Sequence, residues 1–196
     1  DKQKRLELLE EYLSLFPRGL WHNMAYFSLL NAAAVDLGDT QKLQEYAERW
    51  IRQEPDNRLA YASAAHWYLE KGVAEEATAQ YLEQAIRRIE HPDPRDKPAY
   101  HPDELWRADL EKAKGRYYDN LGRVYFKQGR FKEAERAFRE ATLLLPFDHR
   151  LYAHLGQFLE EEGDTAGALK AYLKSARGGN ELPETEEGLR RLLSLT

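Results

Sequence analysis

Apolar side chains recur along this chain in steps of three and four, the spacing that lines one face of an α-helix. Trp106, Leu110, Ala113, Tyr117, Leu121 and Val124 form the longest such run. It begins after Pro102 and meets no proline until Pro146, which predicts a helix from near Asp103 to about Gln128. Leu9, Leu13 and Phe16 predict a helix over residues 3–16, and Leu189 and Leu193 another over 184–196. Leu, Ala, Glu, Lys and Arg are abundant, and runs of Val, Ile and Thr are missing, so the chain reads as all-α.

The helices repeat. Gly38 and Gly72 lie 34 residues apart, Gly72 and Gly129 lie 57 apart, and Gly129 and Gly163 again 34. Tyr61, Tyr118 and Tyr152 keep the spacings 57 and 34, as do Ala77, Ala134 and Ala168, and Tyr81, Phe138 and Tyr172. Several residue types agreeing on one register point to a helical-repeat array with 23 extra residues in its middle. Glycine at these turns tolerates the left-handed conformation that ends a first helix. Proline at 55 and 146 stops the second.

Residues 115–148 read Tyr118, Leu121, Gly122, Tyr125, Ala134, Phe138, Ala141, Pro146, and in this the chain resembles the tetratricopeptide repeat. Residues 149–182 keep Tyr152, Leu155, Gly156, Leu159, Ala168 and Tyr172, with Ser175 and Asn180 where Ala and Pro are usual. Residues 58–91 keep Tyr61, Tyr68, Gly72, Ala77 and Tyr81, and residues 24–57 are degenerate, with Leu30, Ala34, Gly38, Leu43, Ala47, Trp50 and Pro55. The resemblance implies one array over 1–196, a right-handed α-solenoid of antiparallel helical hairpins with about ten helices. It consists of a half-repeat helix in 1–23, the four repeats, an insertion at 92–114, and a capping helix in 183–196. Glu7, Glu10 and Glu11 at one end, and Glu186, Glu187 and Arg190 at the other, are expected to give the terminal helices a polar outer face. The lone second helix at the start points to a native chain that continues upstream, and Asp1 fits a mature form or an excised fragment equally.

The insertion carries four prolines, at 92, 94, 98 and 102, which forbid a regular helix there. Loops of such length inside an array are uncommon and often functional. His91, Asp93, Asp96, His101 and Asp103 offer imidazole and carboxylate ligands, a remote metal or catalytic alternative, but their spacing matches no established metal site.

Composition narrows the function classes. The net charge of −5, with both signs mixed along the chain, argues against a nucleic-acid or membrane-surface partner. The 42% hydrophobic content is globular, yet no stretch approaches the ~20 apolar residues of a membrane span. Absence of cysteine excludes disulfides and leaves the compartment open. No phosphate-binding glycine loop, no His-Glu-x-x-His and no His pair four residues apart is present, so neither catalysis nor a cofactor is expected.

The resemblance instead implies a protein or peptide ligand, held on exposed positions of the first helices. These positions are Ala25, Ser28, Ala32, Val35, Leu59, Ala62, His66 and Leu69 in the first two repeats, a small and mostly apolar set. In the last two they are Arg116, Asp119, Asn120, Arg123, Lys127, Arg150, His154, Gln157 and Glu160. A ligand with an apolar segment and an acidic or C-terminal carboxylate end fits this division. The family's two-carboxylate chaperone-tail clamp is not expected, because Ala62 lacks the required cation, but an anion contact at Asn120 and Arg150 is. Two alternatives stay open. Arg116, Arg123 and Arg150 pair with Asp119 and Glu160 on a solvated face, or the array is a spacer or oligomerisation module of a larger envelope or thioredoxin-like protein.

Overall fold

The computed structural model describes residues 2–17, 19, 21–92, 97–178 and 182–194. Among them are ten α-helices and no strand, in two compact units, Asp1–Asp93 and Pro94–Thr196. In the first unit α1 is Lys2–Leu15, α2 is His22–Asn31, α3 is Thr40–Gln53, α4 is Arg58–Lys71 and α5 is Glu75–Glu90. In the second, α6 is Asp103–Lys127, α7 is Phe131–Leu144, α8 is His149–Glu161, α9 is Thr165–Ala176 and α10 is Pro183–Ser194. None of these helices is long and apolar enough to cross a membrane.

Local chemistry sets the ends of the hairpins. Gly38, Gly72, Gly129 and Gly163 all have positive φ, between 62° and 82°, where a side chain would be strained. Asp39, Asn57, Asp148 and Asp164 cap α3, α4, α8 and α9, each accepting from a backbone N–H of the first turn. The repeat period itself is bonded in place: Asn57 Nδ2 donates to Asn23 Oδ1 at 2.8 Å, and Lys2 meets Asp36 at 3.3 Å, both across 34 residues.

Within each hairpin the helices approach through small residues. Gly122 faces the Phe138 ring of α7, and Gly156 faces Tyr172 of α9; a Cβ at either glycine would lie under 3 Å from that ring. The core of the first unit joins Leu6 and Leu13 of α1 to Tyr26, Leu29 and Leu30 of α2 and to Leu43, Ala47 and Trp50 of α3. Full burial of each such leucine contributes about 1.5–3 kcal/mol before entropy is counted. At the end of the chain, Leu192 of α10 closes over Ala168 and Tyr172. The outer residues of α10, Glu184, Glu186, Glu187 and Arg190, are exposed, as a cap requires.

One element departs from the expected register. After Asn31 the first helix of repeat one continues as a π-helix over Ala32–Leu37. A π turn holds one residue more than an α turn, so everything before it is rotated by roughly 100° relative to the other repeats. Tyr26 is therefore fully buried, while Phe27, which lies 34 residues before the buried Tyr61, is exposed.

Candidate functional site

In the second unit the family's ligand-facing positions fall on α6 and α8, which pack on one another. Arg116, Asn120, Arg123 and Lys127 are spaced by three or four along α6, and Arg150, His154 and Gln157 likewise along α8. Arg116, Lys127 and Arg150 are exposed; Asn120, Arg123, His154 and Gln157 are half-buried.

Asp119 does not join that exposed set. It is buried, and both its carboxylate oxygens accept from His154 Nδ1 at 2.9 Å, tying α6 to α8. A buried carboxylate needs such a donor. The ring nitrogen thereby committed fixes the imidazole plane in the face.

Arg150 forks onto Asp148, with Nε 3.3 Å from Oδ1 and Nη2 3.2 Å from Oδ2. Burial works against the Asp148 charge, but the Arg150 side chain and backbone N–H, with Arg116 behind them, hold the carboxyl below its ordinary range. Arg123 donates to Asn120 Oδ1 at 3.4 Å. Of the pairing expected of these arginines with Asp119 and Glu160, that of Arg150 is corrected: its guanidinium is on Asp148. Asp148 holds Arg150, His154 holds Asp119, and Glu160 turns away to α10. There Arg191 donates to both Glu160 oxygens at 2.9 and 3.0 Å, and the Tyr172 hydroxyl adds a bond at 2.8 Å.

The Glu160 contacts carry a pH signature. Arg191 foremost, and Tyr172 after it, hold the Glu160 carboxyl below its ordinary value of 4.5, against opposing burial. A carboxyl depressed in the folded state stabilises above its unfolded pKa and loses that stabilisation as pH falls through the folded one. Arg191→Ala is therefore expected to lower the melting temperature at pH 7. The difference from the parent should vanish as the pH drops below the depressed Glu160 value. Thermal melts from pH 7 to pH 2.5 check this.

In the first unit the expected ligand positions need correction. Ala25, Ala32, Ala62 and Leu69 are buried, Leu69 at 6% exposure. For Ala25 and Ala32 the cause is the π turn, which rotates Met24 and Phe27 outward in their place. The sequence does not announce this, because Phe27 lies 34 residues before Tyr61 and offers an aromatic in the regular register. Ala62 and Leu69 lie on α4, whose apolar residues are drawn inside on nearly every side. His66 is exposed, with its ring edge-on to Trp67 at 5.0 Å, and Val35 and Leu59 are exposed beside it in type.

Two of the insertion residues have side-chain partners. Asp103 pairs with Lys97, and His101 Nε2 lies 3.1 Å from Asp109 Oδ2. Asp93 and Asp96 of the metal alternative lie outside the described residues, and among the described residues no group of three metal-ligating side chains converges.

Comparison with known proteins agrees with this architecture. A family model for the tetratricopeptide repeat matches residues 120–183. A TPR repeat-containing protein of Methanocaldococcus jannaschii is 25% identical over 95% of this chain, which spans 36% of that protein's length. PilF of Pseudomonas aeruginosa superposes with a TM-score of 0.69 over 99% of this chain and 83% of its own, at 15% identity. YrrB, described as a TPR protein with an unusual peptide-binding site, superposes with a TM-score of 0.62 over 97% of this chain and 84% of its own, also at 15% identity. Hairpins closed on glycine and aromatic contacts, repeated every 34 residues, and these likenesses lead to one conclusion: residues 120–183 match the tetratricopeptide-repeat family, and the described helices as a whole share its fold.

Proposed function

We propose that this chain is a protein-binding scaffold whose α6–α8 face holds the acidic or C-terminal carboxylate end of a polypeptide. The observation that carries this reading is the charge arrangement around Asp148. Two guanidiniums, Arg116 and Arg150, act on that single carboxylate, and Arg150 remains 62% exposed beyond it. A ligand carboxylate arriving there meets the exposed Arg116 and the Arg150 guanidinium already oriented by its fork on Asp148, with the Asn120 amide and the His154 ring on the same face. The peptide-binding site named for the fold relative YrrB supports the same class of ligand. No catalytic step is part of this reading.

The test is a peptide array in which each sequence is offered with a free and with an amidated C-terminus. Free-acid peptides and peptides ending in Asp or Glu are expected to be retained. Arg150→Glu is expected to weaken them by at least about tenfold, with little change in melting temperature because the side chain is exposed. Equal retention of acid and amide forms, or unchanged affinity in the variant, would overturn the carboxylate contact.

A further inference from the structure

His154 meets the α6–α8 face with one ring edge already occupied. Its Nδ1 lies 2.9 Å from both oxygens of Asp119, which is 5% exposed. An ionised carboxylate only accepts, so Nδ1 carries a proton and donates it. The other ring nitrogen, Nε2, makes no hydrogen bond to a described residue and is open to solvent, in a side chain that is 28% exposed. The bond made by one imidazole nitrogen decides where the single proton of the neutral ring sits. With Nδ1–H held inward by Asp119, the neutral ring offers the face a lone pair at Nε2. Only the imidazolium offers an N–H there.

The surroundings of the ring are rich in cations. Arg116 and Arg123 lie three residues before and four after Asp119 on α6. Arg150 lies one turn before His154 on α8, near enough to Asp119 for that carboxylate to favour its charge. Its own partner is Asp148. Further along α8, Glu160 is taken by Arg191 of α10. Among the described residues no side chain of α7, α9 or α10 pairs with His154. A carboxylate drawn in by these cations meets a lone pair at Nε2 when the ring is neutral, and a donor when it is charged.

We propose that Asp119 is a positioning residue that makes carboxylate capture by this face proton-coupled: the ligand binds with uptake of one proton from solvent at His154 Nε2, which then donates a charge-assisted bond to the ligand oxygen. The inference rests on the carboxylate reading of the α6–α8 face and adds its pH dependence. Binding that takes up a proton tightens as pH falls through the range in which imidazole gains charge. It weakens again once the ligand's own carboxyl is protonated.

The first test needs no ligand. Heteronuclear NMR of the imidazole nitrogens at pH 8, with His154 assigned by its loss in His154→Gln, is expected to show the Nδ1–H tautomer. An Nε2–H tautomer would overturn the proposal. The second test follows a rhodamine-labelled peptide that ends in two glutamates and a free C-terminal carboxylate. Its affinity for the parent, read by anisotropy, is expected to rise at least about tenfold from pH 8 to pH 5.5. In Asp119→Asn the amide donates to Nδ1 and leaves the proton of the neutral ring on Nε2, so binding should persist with a nearly flat profile. His154→Gln, which has no titrating ring, should also be flat, and circular dichroism melts check that both variants fold. Affinity that is equal at both pH values but lost in Arg150→Glu would overturn the proton coupling and leave the carboxylate reading standing. No binding by the parent at either pH would overturn both. A slope that survives in His154→Gln would assign the titration to another group and overturn the proposal.

Discussion

Trp50→Ala is expected to destabilise the first unit by about 3–5 kcal/mol, the cost of deleting a fully buried indole. Trp50 is 1% exposed, stacks on Tyr26 with ring centroids 5.2 Å apart and planes 6° from parallel, and donates from Nε1 to Glu54 Oε2 at 3.1 Å. That carboxylate also accepts from Asn57, the cap of α4, so losing the indole disturbs the α3–α4 turn as well as the core. Trp50→Phe keeps a ring against Tyr26 and loses the hydrogen bond, and its cost should be clearly smaller. Urea titration followed by circular dichroism measures both; equal midpoints for parent and Trp50→Ala would show that the Tyr26–Trp50 stack is not a core contact.

Gly156→Val is expected to cost about 1–3 kcal/mol by overpacking. Its Cβ would sit 2.7 Å from two carbons of the Tyr172 ring. That ring cannot retreat, because Gly188 of α10 faces its far edge, where a Cβ would lie 2.3 Å from Cζ, and its hydroxyl is bonded to Glu160. The strain should therefore appear as loosening of α10, with faster proteolysis within 183–194 and a lower melting temperature. A variant that melts with the parent and resists protease equally would show that the α8–α9–α10 packing has slack the structure does not display.

Much of this architecture is legible in the sequence because its causes are local. A positive-φ glycine, a proline after the second helix and a Gly–aromatic contact each leave a residue type at a fixed offset, and several offsets together fix the register. The π turn was less legible because Ala32–Leu37 is composed of ordinary helix formers, and nothing in Ala-Ala-Ala-Val-Asp-Leu announces an extra residue per turn. Phe27, 34 residues before Tyr61, even offers an aromatic in the regular register, and only its exposure beside the buried Tyr26 reveals the shift. Its effect on the surface is large, since Ala25 is buried while Met24 and Phe27 are exposed.

The α6–α8 face divides in the same way. The residues that line it follow from helical spacing once the register is known. Their partners do not, because partners depend on which rotamer reaches which carboxylate. Helical spacing places Asp119 and His154 both on the face, but the burial of one beneath the other comes from the approach of α6 to α8. The capture of Glu160 by Arg191 likewise depends on where α10 lies, 31 residues away along the chain.

The claim that α6 and α8 hold the ligand is tested most directly by amide chemical-shift mapping with the tightest free-acid peptide from the array. The account predicts shifts concentrated at 116–123 and 150–157, fading when Arg150 is replaced by Glu. Shifts centred on α7 and α9, or on residues 97–102, would contradict it.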